Sequence, residues 1–524
     1  MNQRIFFYGE SPLSTGLALE MAAGTRKGIL NEATRQRIEA SRQIVAQVLS
    51  EERVVYGVTT GFGPLCTTVV SPHEAGQLQE NLLMSHSVGV GPLIPPDIAR
   101  LMLILKVQAL AQGYSGIGLP TLERICWHID ADVIPCVPAQ GSVGASGDLA
   151  PLSHLFLPLI GLGEVFYQGK VQPAAAVLQV HGLEPLRLQA KEGLALINGT
   201  QFMAAYGLHI LARLHNCLDH ADLSGAMMLE ALAGSAKPFD ARLHAVRPHP
   251  GSQHVAARLR NLLAGSEIME SHINCKRVQD PYSLRCIPQV HGASRAAWLH
   301  LKEALHIEIN SVTDNPVLFD AETILSGGNF HGQPIALPLD YAAMAAAEIG
   351  NIADRRIYLA LDGKVEGIPK LLIRETGLHS GFMIPQYTTA ALVTENKTLC
   401  FPASVDSVPT SMGQEDHVSM GSVSARKALR VVENLEQILG IELLYAAQAL
   451  DFRRPLRSSV FIDACHAHVR QHIDHRETDR PFSDDIQAGI GLVRTGALAT
   501  LTETLSRDTG IPLNSEFHES FRIY

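Results

Sequence analysis

Leu429, Val432, Leu435, Ile438, Leu439, Leu443 and Ala446 recur at helical spacing through residues 425–450, so this stretch must present one apolar face along a long α-helix. Comparable patterns cover residues 31–52, 74–85, 96–112, 201–233, 293–310 and 337–361. Helices of this length hide their apolar faces most readily against one another, which predicts a mainly α fold: a long-helix bundle with a small mixed N-terminal region. Strand signals are short, at residues 4–8 and in a hairpin over residues 162–171 around Tyr167-Gln168-Gly169. Soft divisions fall at residues 1–190, an N-terminal region; 191–424, a central helical bundle; and 425–524, a C-terminal helical region.

Charged residues make up only 18% of the 524-residue chain and hydrophobic ones 46%, a balance that predicts extensive subunit contacts. The formal net charge of −10 argues against nucleic-acid or anionic-membrane partners, which need clustered Lys and Arg, and favours a small-molecule enzyme. The eight cysteines are scattered, with no CxxC pair and no secretory leader ahead of them, which predicts a reduced, cytoplasmic protein. The apolar stretch 101–105 is closed off by Arg100 and Lys106, far short of a bilayer span.

Between the helical patterns lie Gly- and Pro-bearing loops at residues 141–151, 248–252, 326–334 and 402–413, besides a Thr/Gly-rich loop over residues 54–64. The first reads Gly-Ser-Val-Gly-Ala-Ser-Gly-Asp-Leu-Ala-Pro-Leu-Ser from Gly141 to Ser153. Its Ala145-Ser146-Gly147 tripeptide can build an electrophile from its own backbone. If the Gly147 nitrogen attacks the Ala145 carbonyl carbon and two waters leave, a five-membered imidazolone results, with an exocyclic methylene from Ser146. Glycine permits the tight bend, alanine adds no bulk, and serine supplies the hydroxyl that is eliminated. Read only as backbone, the segment is a Gly-rich turn with Asp148 as a helix N-cap.

The segment resembles the aromatic amino acid ammonia-lyase family, whose prosthetic group, methylidene-imidazolone (MIO), forms in this way with no external cofactor. The resemblance runs from about residue 50 to residue 455, through Tyr56 to Gly63, Asn198 to Gln201, Gln279 to Cys286, Ser311 to Pro316, Ser326 to Pro334, Gly377 to Met383 and Gln414 to Gly421. It implies an ammonia-lyase/fumarase-like fold and a homotetramer whose active sites combine residues of three subunits.

It also implies roles for individual residues. Tyr56, on a mobile lid, removes a β-proton from the substrate, for which its phenol would need a depressed pKa from nearby donors or cations. Asn198, which could otherwise cap a helix, sits beside the substrate amine and the MIO. Arg285 clamps the substrate carboxylate, with Tyr282 supporting the elimination and Gln279 beside them. Phe330 lines the site wall. His86 and Glu415, with Gln414, fall where the family selects its substrate, and an imidazole with two ring nitrogens suits such a pair; Glu415 is also open as an alternative catalytic proton acceptor.

These positions match histidine-type members and imply deamination of L-histidine to trans-urocanate. Thr59, however, stands where those members usually carry asparagine, and residues 59–64 look more like bacterial tyrosine lyases. A tyrosine or phenylalanine lyase, or an aminomutase, is therefore the alternative, and a catalytically inactive helical scaffold is the alternative of a different class. Cys465, His466, His468, His472 and His475 could suggest a metal site, since His468 and His472 would share a helix face, but no acidic catalytic motif accompanies them and no metal is expected.

Overall fold

The computed structural model describes residues 4–71, 73–273 and 277–523. At its centre the Gly421–Asp451 helix packs chiefly against Gln201–Ala231, Gln333–Ala360, Ser483–Arg494 and Met383–Leu399, and Ile287–Glu308 closes the bundle against Gln333–Ala360. From Ile438 to Leu450 every residue of the Gly421–Asp451 helix is buried, so it has lost its polar face and is covered on all sides. One apolar core runs from Phe6 to Ile523.

The predicted helices are present with shifted ends. The 293–310 pattern begins at Ile287 and the 337–361 pattern at Gln333, because Pro288 and Pro334 lie in first turns, where a missing N–H breaks no helical bond. Pro338 lies inside the latter helix. The 248–252 loop is largely the start of a helix, Pro250–Leu263, for the same reason.

Strands are short. Arg4–Phe7 pairs in parallel with Arg26–Ile29, whose strand character the sequence does not advertise. The hairpin forms from Glu164–Tyr167 and Lys170–Pro173, with Gln168 and Gly169 both at positive φ, as a tight two-residue turn requires. Most relevant to function, Val90–Leu93 pairs with Pro138–Gln140, which fixes the start of the 141–147 loop immediately before the Leu149–Phe156 helix. Among the described residues no helix is long and apolar enough to cross a membrane.

Candidate active site

The Ala145-Ser146-Gly147 segment is laid against the 198–200 turn that opens the Gln201–Ala231 helix. Gly147 and Gly199 form a parallel bridge in which Asp148 N donates to Gly199 O at 2.8 Å and Gly199 N donates to Ser146 O at 3.3 Å. Gly147 has φ +74°, and a Cβ there would lie 2.1 Å from Gly199 O, so both backbone shape and contact distance demand glycine. Asn198 Nδ2 donates to the same Ser146 oxygen at 3.2 Å, while Asn198 Oδ1 is buried without a hydrogen-bond partner.

Asp148 precedes the Leu149–Phe156 helix but makes no side-chain cap on it. Its carboxylate instead accepts from Met203 N at 3.0 Å and Ser142 Oγ at 3.3 Å, tying the loop to a second helix N-terminus. Small Ala145, the Ser146 hydroxyl, the bent Gly147 and two donors on the Ser146 carbonyl together fit formation of a MIO.

Two cavities meet at Ser146. One, of about 480 Å³, is lined by Tyr56, Ala145, Ser146, Asn198, Phe330, Gln414 and Glu415; the other, of about 540 Å³, shares Tyr56, Ser146, Asn198 and Glu415 and adds His86. The second is more apolar, with Phe62, Leu78, Leu82, Leu149 and Met412 in its wall. Glu415 joins the two: Ser146 Oγ donates to Oε1 at 3.1 Å, and Thr410 Oγ1 and Ser411 Oγ each donate to Oε2 at 2.8 Å.

Within the chain, Gln279, Tyr282 and Arg285 do not join this group. Gln279 and Arg285 line a separate cavity of about 370 Å³, Tyr282 is 70% exposed, and the Arg285 guanidinium stacks over the Tyr282 ring at 4.5 Å.

Residues 13–471 match the family described as aromatic amino acid lyase. The chain belongs to this family. The lyase is 49% identical over 502 residues to the histidine ammonia-lyase of Sorangium cellulosum (strain So ce56), covering 94% of this chain and 98% of that relative. It also resembles the crystal structure of histidine ammonia-lyase from Trypanosoma cruzi, with TM-score 0.88, 40% identity and 98% of both chains covered. Tyrosine aminomutase from Streptomyces globisporus gives TM-score 0.91 at 36% identity over 97% of this chain and 99% of that one. The helical bundle is thus the ammonia-lyase fold, and the enzyme is a carbon–nitrogen lyase.

The electrostatics of the lyase depart from one expectation. Burial raises the Tyr56 phenol above its ordinary pKa, and the opposing donation from Gly63 N–H at 3.3 Å is too weak to reverse it. The nearby Cys66 and Glu415 add to the rise. Burial also lowers the pKa of the His86 imidazole, against the Leu82 backbone and the Glu415 charge, which favours neutral imidazole near Ser85 Oγ, 3.0 Å from Nδ1.

Thr59 is buried and turned away from both cavities: its hydroxyl donates to Arg53 O at 2.8 Å and accepts from Val55 N at 2.9 Å. It shapes the 54–64 loop without lining either cavity. The His466 and His475 rings bond Asp451 at 2.7 and 2.6 Å, and His468 packs beside His472.

Sequence reasoning missed several contributors to the site of the lyase. Thr410 and Ser411 hold Glu415; His331 and His417 stack in parallel, 5.8 Å apart, in the first cavity; and Lys106 lies beneath the 198–200 turn. Of these, His331 and His417 lie inside segments that carry the resemblance, and Thr410 and Ser411 inside the 402–413 loop, whereas no local signal marks Lys106.

Proposed function

We propose that this lyase deaminates L-histidine to trans-urocanate and ammonia, acting in the cytoplasm as a homotetramer with shared active sites. The observation that carries the substrate assignment is Glu415, a carboxylate anchored by two hydroxyls at the junction of the two cavities, with His86 facing the same chamber. A charged acceptor and a neutral imidazole suit the two nitrogens of a histidine ring; a phenyl ring would leave both unpaired. The histidine ammonia-lyases among the relatives agree with this reading.

A MIO formed from Ala145, Ser146 and Gly147 supplies an electrophilic carbon for the substrate amine, so no external cofactor is needed. Around it, Asn198 orients the Ser146 carbonyl and meets the amine with its free Oδ1. Tyr56 takes the β-proton onto its phenolate oxygen, and ammonia leaves from the α-carbon. Phe330 and Gln414 wall the space beyond.

Arg285 of the partner subunit binds the substrate carboxylate, with Gln279 and Tyr282 of the partner subunit beside it. The separation of these residues from Ser146 within one chain supports that division of labour. The same cation, brought near Tyr56, would lower the phenol that burial raises.

The apolar wall of the second cavity favours a second reading, a tyrosine- or phenylalanine-directed lyase or an aminomutase. Parallel assays of the purified protein with L-histidine, L-tyrosine and L-phenylalanine separate the two, with products followed by ultraviolet absorbance and identified by chromatography. Dominant urocanate supports the histidine assignment; dominant coumarate, cinnamate or a β-amino acid refutes it.

A further inference from the structure

Lys106 sits in the C-terminal half of the Pro96–Leu110 helix between buried Leu105 and Val107, and is itself only 1% exposed. A lysine there must use its donors, because an unpaired buried amine is costly. Its Nζ donates to Asn198 O at 2.7 Å and to Gln201 Oε1 at 3.3 Å, and Gln201 Nε2 donates onward to Thr313 Oγ1 at 2.8 Å.

The Asn198 carbonyl belongs to the same peptide group as the Gly199 N–H, and that N–H donates to Ser146 O. Hydrogen bonds arranged in series through one peptide polarise one another, so donation at the Asn198 oxygen strengthens donation from the Gly199 nitrogen. The Asn198 side chain donates to the same Ser146 oxygen and is carried by the same residue whose carbonyl Lys106 grips. Both hydrogen bonds on the Ser146 carbonyl therefore originate in a turn that Lys106 fixes from below.

We propose that Lys106 is a positioning residue of the reaction, acting through the Asn198–Gly199 peptide to hold and polarise the Ser146 carbonyl. The inference rests on the reading of residues 145–147 as a MIO, in which that carbonyl is conjugated with the carbon derived from the Ser146 side chain. Withdrawing electron density at the oxygen makes that carbon a better electrophile. Burial brings the Lys106 ammonium down to about 7, with Asp314 and Asp148 supporting its charge and Lys191 opposing it. Protonated or not, Nζ keeps hydrogens to donate; its charge adds to the polarisation but does not create it.

The test uses the full-length chain with Lys106→Met, Lys106→Leu and Lys106→Arg, beside the parent and Ser146→Ala. Circular dichroism and gel filtration establish folding, intact mass reports the loss of two waters, and near-ultraviolet difference spectra against Ser146→Ala report the electronic state of the conjugated group. The neutral variants are expected to fold, to lose at least about tenfold in kcat with KM within about twofold, and to show either slowed water loss or a displaced absorbance band. Lys106→Arg should recover part of both signals.

A folded neutral variant with parental water loss, band position and kcat overturns the proposal, as does a fall in kcat with water loss and band both unchanged. Failure of both neutral variants to fold assigns Lys106 to the structural core and overturns it too. If the parent itself shows no loss of two waters, the reading of residues 145–147 has failed and this inference falls with it.

Discussion

Ser146 and Glu415, 269 residues apart in sequence, are joined by a 3.1 Å hydrogen bond from the Ser146 hydroxyl to Glu415 Oε1. The other carboxylate oxygen is already held by Thr410 and Ser411. Dehydration of Ser146 would remove that hydroxyl, freeing Oε1 while Oε2 stays anchored. The step that makes the electrophile would thus also expose an oriented acceptor for the substrate ring.

Glu415→Gln should keep the chain length and the water loss at Ser146 but replace the anionic acceptor with an amide. Loss of a charged hydrogen bond at a half-buried site is worth roughly 1.5–3 kcal/mol, so kcat/KM for L-histidine should fall by at least about tenfold. Any residual turnover of L-tyrosine should change less. Steady-state kinetics on both substrates, with intact mass as the control, check this; equal losses on both would remove Glu415 from ring recognition.

Gly147→Ala puts a methyl group 2.1 Å from Gly199 O in a left-handed conformation that side chains resist. The bridge must open, at a cost of about 1–3 kcal/mol in stability. The Ser146 carbonyl should lose its donors with it. The expected result is a folded protein with lowered Tm and no loss of two waters, read by thermal melting and mass spectrometry.

Burial holds the Asp148 carboxyl up to about 7, well above its ordinary value of 3.8, despite the donors from Met203 and Ser142. The folded state therefore binds this proton more tightly than the unfolded chain. The associated stability is complete below about pH 4 and is lost as pH rises through about 7, amounting to at most about 4 kcal/mol. The difference in urea midpoint between the parent and Asp148→Asn should fall from pH 4 to pH 8, a comparison that cancels the buried histidines, whose lowered pKa values act in the opposite sense. Glu230, also buried and raised to about 7, contributes in the same direction.

The bundle was legible because helical periodicity survives in residues such as Leu429 to Ala446, whose burial needs no knowledge of the partner helix. The 141–153 segment stood out because the chemistry its residues permit is local. Lys106 was not: it reads as the charged end of an apolar run, and only the fold reveals that it is buried and paired with Asn198, 92 residues away. Thr59 misled in the opposite sense, since residue type cannot say that its hydroxyl turns back to Arg53 O. Arg285 and Tyr56 were both legible as chemistry, yet their separation within one chain follows from packing that no local pattern encodes.

That separation gives the most discriminating prediction. Tyr56→Phe removes the proposed proton acceptor and Arg285→Ala the proposed carboxylate clamp, so each variant alone should lose at least about a hundredfold in kcat/KM. If Tyr56 and Arg285 of one site come from different subunits, a mixed oligomer contains some sites with both residues intact. Unfolding and refolding the two dead variants together at equal concentration should then restore about one quarter of parental activity, the fraction expected for random pairing of two chains at each site. Restored activity that tracks the oligomer peak on gel filtration would establish shared sites. An inactive mixture whose mixed assembly is verified with differently tagged chains would mean that Tyr56 and Arg285 must act from the same chain, and the shared-site reading would be wrong.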